Sequence, residues 1–203
     1  MNILVDELPS SVMIGGDEYR IRTDFRVWVL FEMLWQDDDM GESGKVRRSL
    51  ELCYYEIPAR YGEAVNALLW FYKCGREERA REREVAARRK RTRVYSFDYD
   101  ADYIYAAFMT QYGIDLQDVD LHWWKFRAMF NALTSQNEFV KIMEYRGIDL
   151  TEDMPEGQKA FYRKMKTIHA LPLPKGEEET QTAIEDALLN GGDLSGILGN
   201  GGG

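Results

Sequence analysis

Two runs of carboxylates are the densest groups of reactive side chains in this sequence: DYDAD at residues 98–102 and DLQDVD at residues 115–120. Closely spaced carboxylates can hold a divalent cation or serve as an acid–base pair. The second run lacks the glycine and the terminal glutamate of a calcium loop, because Phe126 stands at its twelfth position. The first run precedes a helical pattern, where negative charge faces the positive end of the helix dipole. We therefore interpret the first run as a helix start and the second as a linker and cap.

The other reactive side chains are few and lie far apart. The chain has two histidines, His122 and His169, and two cysteines, Cys53 and Cys74, and none stands in a zinc-ligand or CxxC spacing. The phosphate-binding GxxxxGK(S/T) and the catalytic HExxH and GxSxG patterns are missing from the sequence. We therefore expect no enzyme, no metal and no cofactor. The thiols are expected to be reduced and partly buried, and His122 to start a helix.

Charge is spread unevenly along the 203 residues. The net charge of −9 disfavours binding to duplex nucleic acid, because neutralising phosphates needs surplus Lys and Arg. Residues 75–93 are the exception, with nine Lys or Arg against four Glu. This segment has almost no apolar face, so we expect a solvated helical extension or a linker. The uneven charge suits self-association or docking on a basic partner. An RNA-binding arm is the alternative, which the absence of interleaved aromatic residues disfavours.

The elements that must position these groups are mainly helical. β-prone residues around Gly15-Gly16-Asp17-Glu18 predict a hairpin over residues 11–22. Apolar residues at helical spacing predict helices over residues 24–36, 43–55, 98–112, 121–133, 135–146 and 155–170, and one that starts near residue 61. Thr23 or Asp24 is expected to cap the first helix, and Gly113 and Gly147 to end two others.

We expect one helical domain over residues 1–174 and a flexible tail over residues 175–203, where Pro, Gly, Glu and Thr dominate. Within the tail, TAIEDALLN places Ile184 and Leu188 on one face of a segment too short to be a stable helix alone. Such a segment suits folding on a partner. No apolar run approaches membrane-spanning length, and the N-terminus lacks the basic region of a signal peptide. An intracellular protein is therefore expected.

An aromatic stripe in the helix predicted over residues 121–133 is the second candidate for partner binding. Its residues are Trp123, Trp124, Phe126 and Phe130. Large rings at helical spacing bury area and recognise shape, but such a stripe is more often core than contact surface. Neighbouring residues on a helix lie about 100° apart, so both tryptophans cannot face one side. One of them therefore lies either in a wide core or at an interface.

Four blocks of sequence resemble one known family. They are TDFRVWVLFEML, YSFDYDADYIYAAFMTQYGIDL, LHWWKFRAMFNAL and EFVKIMEYRGIDL, in that order, and the end EDALLNGGDL is also similar. The chain resembles the bacteriophage gene-product-fifteen family, small proteins of tailed phages and prophages that look like tail assembly chaperones. The resemblance spans residues 23 to about 173 and implies no catalytic or cofactor residue.

The resemblance implies a function. A tape measure protein is a long helical chain with exposed apolar stripes, and a chaperone would keep it soluble in the host cytoplasm until the tail tube polymerises around it. The tape measure protein, the tail tube protein and a second copy of this chain are the expected partners. Two alternatives stay open: a structural tail or head–tail joining component retained in the virion, and a small regulatory or nucleic-acid-binding protein that uses residues 75–93.

Overall fold

The computed structural model describes residues 1–37, 39–76 and 93–172. In this part of the chain, a two-stranded antiparallel hairpin precedes seven α-helices. The strands are β1 (Ser11–Ile14) and β2 (Asp17–Arg20). The helices are α1 (Phe25–Trp35), α2 (Glu42–Cys53), α3 (Tyr61–Tyr72), α4 (Ala101–Tyr112), α5 (Trp123–Asn131), α6 (Glu138–Gly147) and α7 (Glu156–Ile168). The predicted mainly helical fold with an N-terminal hairpin is confirmed.

The chain divides into two compact units, Met1–His169 and Ala170–Gly203. Every element named above belongs to the first unit. Most of the charged segment predicted at residues 75–93 and all of the tail predicted at residues 175–203 lie outside the described residues. Those two interpretations and the domain boundary at residue 174 therefore stay predictions. Within the described ranges, no helix is both long and apolar enough to cross a bilayer.

The hairpin reverses at two glycines. Ile14 pairs with Asp17 across the turn, which leaves Gly15 and Gly16 as its two central residues. Their φ angles are 61° and 96°, a region that residues with a side chain rarely adopt. The predicted turn was longer than the observed one, because Asp17 and Glu18 belong to β2. The hairpin places the buried side chains of β1 against α3.

The starts of α1 and α5 are joined through their backbones. Asp24, one of the two predicted caps, accepts a hydrogen bond from the first turn of α1 at 2.8 Å. The N–H of Phe25 donates to the carbonyl of Leu121 at 3.0 Å, and the N–H of Trp123 donates to the carbonyl of Thr23 at 2.7 Å. The two helices therefore enter the core side by side, although they are about a hundred residues apart in sequence.

The predicted helix ends are close to the observed ones, with instructive differences. Gly113 ends α4 with a φ of 66°, the left-handed conformation that favours glycine. Gly147 does not act in this way, because it is the last helical residue of α6 and an extended Ile148 ends the helix. The helix predicted over residues 121–133 is observed as α5, which is two residues shorter at each end, and His122 before it is extended.

A buried ion pair joins the start of α4 to the end of α6. The side chains of Asp100 and Arg146 are 2% and 9% exposed, and two guanidinium N–H groups donate to the two carboxylate oxygens at 2.7 and 2.9 Å. Arg146 also donates to the carbonyls of Val94 at 3.1 Å and His169 at 2.5 Å. Residues 98–102 do lie at the start of a helix, as predicted. The Asp100 carboxylate, however, makes no cap and instead holds the cation that links three segments.

Breaking this pair should destabilise the protein strongly. Arg146→Ala leaves the Asp100 carboxylate buried without its cation, so we expect the free energy of unfolding to fall by about 3–5 kcal/mol. Lys141→Ala on the same helix is the matched control, because its pair with Glu138 is exposed and should be worth at most about 1 kcal/mol. Urea unfolding of both variants measures the difference. Equal losses would show that the buried pair is not a main tertiary link.

Candidate partner-binding surface

The four aromatic residues predicted to bind a partner lie in the hydrophobic core. Trp123, Trp124, Phe126 and Phe130 are between 0% and 5% exposed. The ring of Phe126 stacks between those of Phe25 and Phe108, with centroid distances of 4.7 and 5.0 Å. These rings therefore contact other rings of their own chain, as expected for a stripe that forms part of the core. Their role in binding stays a prediction, and Ile184 and Leu188 lie outside the described residues.

The adjacent tryptophans both fit because the core is wide. Trp123 stacks with Tyr72 at 5.5 Å, and Trp124 meets the edge of Trp70 at 5.6 Å. Their indole N–H groups donate to the carbonyls of Tyr72 at 3.0 Å and Phe71 at 2.8 Å. The last carbonyls of a helix have no partner within the helix. The two indoles therefore satisfy the C-terminal end of α3 while their rings are buried.

The carboxylates, thiols and imidazoles singled out in the sequence are not brought together. Asp115 accepts a hydrogen bond from the N–H of Gln117 at 2.8 Å, as a capping residue of a turn does. Cys53 is buried and Cys74 half-buried, both as free thiols, and burial raises the pKa of each. Within residues 1–37, 39–76 and 93–172, no group of His, Cys, Asp and Glu is arranged to hold a metal ion.

His122 starts α5, as predicted from its position. Its Nδ1 accepts a hydrogen bond from the N–H of Trp124 at 3.0 Å. The proton of the neutral ring must then reside on Nε2, which lies 3.1 Å from the carbonyl of Pro9 and donates to it. Burial lowers the pKa of His122 below its ordinary value of 6.5, and Lys125 adds to the shift, while the contact with Pro9 opposes it. The imidazole therefore acts as a neutral structural link between α5 and the N-terminal segment.

An apolar groove lies between α2 and α3. We call it the α2–α3 groove; it has a volume of about 550 Å³ and is lined by Ser43, Val46, Arg47, Leu50, Glu51, Ile57 and Tyr61. Leu50 is buried at its base, whereas Ile57 and Tyr61 are 44% and 62% exposed. Large exposed side chains beside a concave apolar surface are typical of a binding site. The polar residues of its lining are Ser43, Arg47 and Glu51, and Arg47 pairs with Glu51 at 2.9 Å.

The chain between α2 and α3 forms one side of this groove by burying Tyr54 and Pro58 and exposing the three residues between them. Tyr54 is buried and its hydroxyl donates to the carbonyl of Ala64 at 2.9 Å. The extended backbone then directs Tyr55 outward, and Pro58 is buried while Ile57 before it is exposed. In the sequence, Pro58 indicates a break between helices, but Ile57 and Tyr61 were not singled out. The signal that could have found them is the pair of apolar residues that flank this break.

Comparison with known proteins places the chain among phage proteins. The family model described as Bacteriophage Gp15 protein matches residues 4–171, which include every helix and strand described above. No curated protein and no solved structure shows a significant match to the chain.

The His122 link predicts a pH dependence of stability. Above pH 6.5 the imidazole is neutral in both states, so its contribution to stability is fully present. As the pH falls below 6.5, the unfolded chain binds the proton first, because the pKa is lower in the folded protein. The free energy of unfolding therefore falls as the pH drops through the folded pKa. Urea unfolding at about pH 7.5 and about pH 5 measures the decline.

Two variants isolate this contribution. His122→Asn can still cap α5 but cannot titrate, so it should show a smaller decline than the unchanged protein. His169→Asn, which removes the other histidine, should keep the full decline. The same decline in both variants would show that other groups determine the pH dependence.

The core position of Trp123 gives a second prediction. Trp123→Ala should lower the free energy of unfolding by about 3–5 kcal/mol, because it empties a fully buried site. Trp70→Ala is the control, since Trp70 is 41% exposed and should lose much less. Thermal and urea unfolding of the two variants decide the point. If Trp123→Ala left the free energy of unfolding unchanged, the core role of Trp123 would be wrong and a surface contact would be the better interpretation.

Proposed function

The chain belongs to the bacteriophage Gp15 protein family, and on that premise we propose that this phage protein is a tail assembly chaperone. In this proposal it binds the tape measure protein and keeps it soluble until the tail tube polymerises around it. It acts by binding and not as an enzyme. Its place of action is the cytoplasm of the bacterial host, and the tail tube protein and further copies of the chain are additional partners.

The observation that carries the proposal is the family match, which covers residues 4–171 of 203. The α2–α3 groove adds a physical route. An amphipathic helix can place its apolar side chains into a groove of this kind, with Leu50 at the base and Ile57 and Tyr61 at the walls. The net charge of −9 would keep the resulting complexes apart from one another in solution.

The size of the groove supports temporary binding. Burying one leucine-sized side chain is worth about 1.5–3 kcal/mol, and association costs at least about 4 kcal/mol in lost freedom of motion. The free energy gained by burying two such side chains in the groove would do little more than offset the cost of association. Several copies, each weakly bound along a long helical partner, would cover its apolar stripe and still leave when tube subunits compete. Many modest contacts therefore suit a chaperone better than one tight contact.

Co-expression of this protein with the tape measure protein of the same phage tests the proposal. The tape measure protein should move from the pellet to the supernatant when the unchanged chaperone is present. Ile57→Asp should reduce that soluble fraction severalfold, because it places a charge in the wall of the groove. Ile168→Asp is the matched control, since Ile168 is a similarly exposed isoleucine on α7 and should have little effect.

Two negative results would have different meanings, one for the chaperone function and one for the groove as its contact surface. If the unchanged protein expresses well and the tape measure protein stays in the pellet, the chaperone function is wrong. If solubilisation is strong but equal in both isoleucine variants, the groove is not the contact surface. Mass spectrometry of purified virions distinguishes the chaperone from a structural component. A chaperone should be missing from the particle, whereas a structural component would be present in fixed copy number.

A further inference from the structure

Arg127 on α5 is held among aromatic rings with most of its hydrogen-bonding capacity unused. Its guanidinium lies 5.4 Å from the ring centre of Trp123 and 5.8 Å from that of Tyr72. One N–H contacts the hydroxyl of Tyr95, at a long 3.4 Å. A guanidinium carries five N–H groups. Among the described residues, no buried side-chain nitrogen lacks a partner, so the remaining donors of Arg127 must reach open space.

That open space is a cavity of about 310 Å³ that Arg127 lines. Trp124 and the N-terminal residues Met1 and Ile3 form apolar parts of its wall, and Arg76 adds a second guanidinium. Met1 and Ile3 are themselves exposed beside the opening. The cavity is at the small end of ligand sites, which span about 300–1,000 Å³. It can therefore enclose a side chain or two, but not a large molecule.

The charge of this cavity is opposite to that of the chain. The described residues that line it include the guanidinium groups of Arg127 and Arg76 but no Asp or Glu, although the chain as a whole carries −9. The buried carboxylate of Glu32 interacts electrostatically with Arg127 and accepts a hydrogen bond from the hydroxyl of Tyr72 at 2.5 Å. It is therefore engaged within the core. A positively charged cavity in an acidic protein selects a negatively charged ligand.

We propose that this cavity binds the carboxylate of an acidic side chain in a protein segment that also carries an apolar residue. The planar guanidinium of Arg127 matches the two oxygens of a carboxylate. The apolar residue would rest on Trp124, Met1 and Ile3, which a free small acid or a phosphate ion would leave unused. The site goes beyond the proposed function, because it is separate from the α2–α3 groove and can be tested without the tape measure protein.

The test uses the full chain and two capped dipeptides, N-acetyl-Glu-Leu-amide and N-acetyl-Gln-Leu-amide. Titrations followed by NMR, on the indole N–H signal of Trp124, give the dissociation constants. We expect the Glu peptide to bind about tenfold or more tightly than the Gln peptide, and its affinity to fall with added salt. Sodium glutamate and inorganic phosphate, titrated in the same way, should bind more weakly than the Glu peptide.

Charge-removing variants on one helix localise the site. Arg127→Gln should lose about tenfold in affinity for the Glu peptide, whereas Lys125→Gln, an exposed position on α5, should bind as before. Arg76→Gln changes an exposed residue at the cavity and should weaken binding even if Arg127→Gln folds poorly. Equal affinity for the Glu and Gln peptides would overturn the proposal. So would equal loss in Arg127→Gln and Lys125→Gln, or phosphate that binds as tightly as the peptide.

Discussion

Burial of three indole rings is the constraint on which the rest of the helical domain depends. A tryptophan can enter a dry core only when its N–H reaches an acceptor, because an unpaired buried donor is costly. Trp28 donates to a carbonyl that precedes α1, and Trp123 and Trp124 donate to Tyr72 and Phe71 at the end of α3. The bonds from Trp123 and Trp124 therefore fix α5 against the end of α3, and the ring of Trp28 packs between the two helices, against Phe71 and Trp123. A shift of α3 relative to α5 would leave a buried indole N–H unpaired.

This arrangement also explains the cavity beside the core. Trp124 must lie close to the backbone where α3 ends, since a Cβ added at Gly75 would meet its ring at 2.9 Å. Gly75 also has a φ of 66°. Both the close Trp124 ring and this backbone conformation therefore disfavour a residue with a side chain at this position. Cys74 before it shares the left-handed conformation, with a φ of 57°, which is uncommon for a residue other than glycine. The chain therefore turns sharply after α3 and leaves Arg127 facing open space.

Local patterns in the sequence predicted the helices and strands but not the contacts between them. The hairpin, the Asp24 cap and the Gly113 stop depend on residues within one turn, so spacing and turn chemistry predicted them. The partner of Asp100 lies 46 positions away in the chain. No local rule reaches that far, and the helix-start interpretation missed the ion pair.

The aromatic stripe shows the same limit for the candidate site. Helical spacing identified Trp123 and Phe126 as residues that share a face, but spacing does not specify what that face meets. The structure adds the rings of α1, α3 and α4 around them. The α2–α3 groove depends instead on residues between two helices, where Tyr55 and Ile57 are exposed between the buried Tyr54 and Pro58. A search for apolar residues at helical spacing does not detect such a surface, because Tyr55 and Ile57 lie outside the helices.

The two surfaces differ in what they can contribute to recognition. The groove offers apolar area, which gives affinity but little discrimination, since any amphipathic helix has a suitable stripe. The cavity offers a fixed guanidinium beside an apolar wall, which favours one sign of charge at one position. A weak apolar contact combined with a charge requirement would select a partner without holding it tightly. In the two proposals, buried area in the groove would supply the affinity and the cation of the cavity would supply the discrimination, so a substitution in one surface would leave the contribution of the other in place.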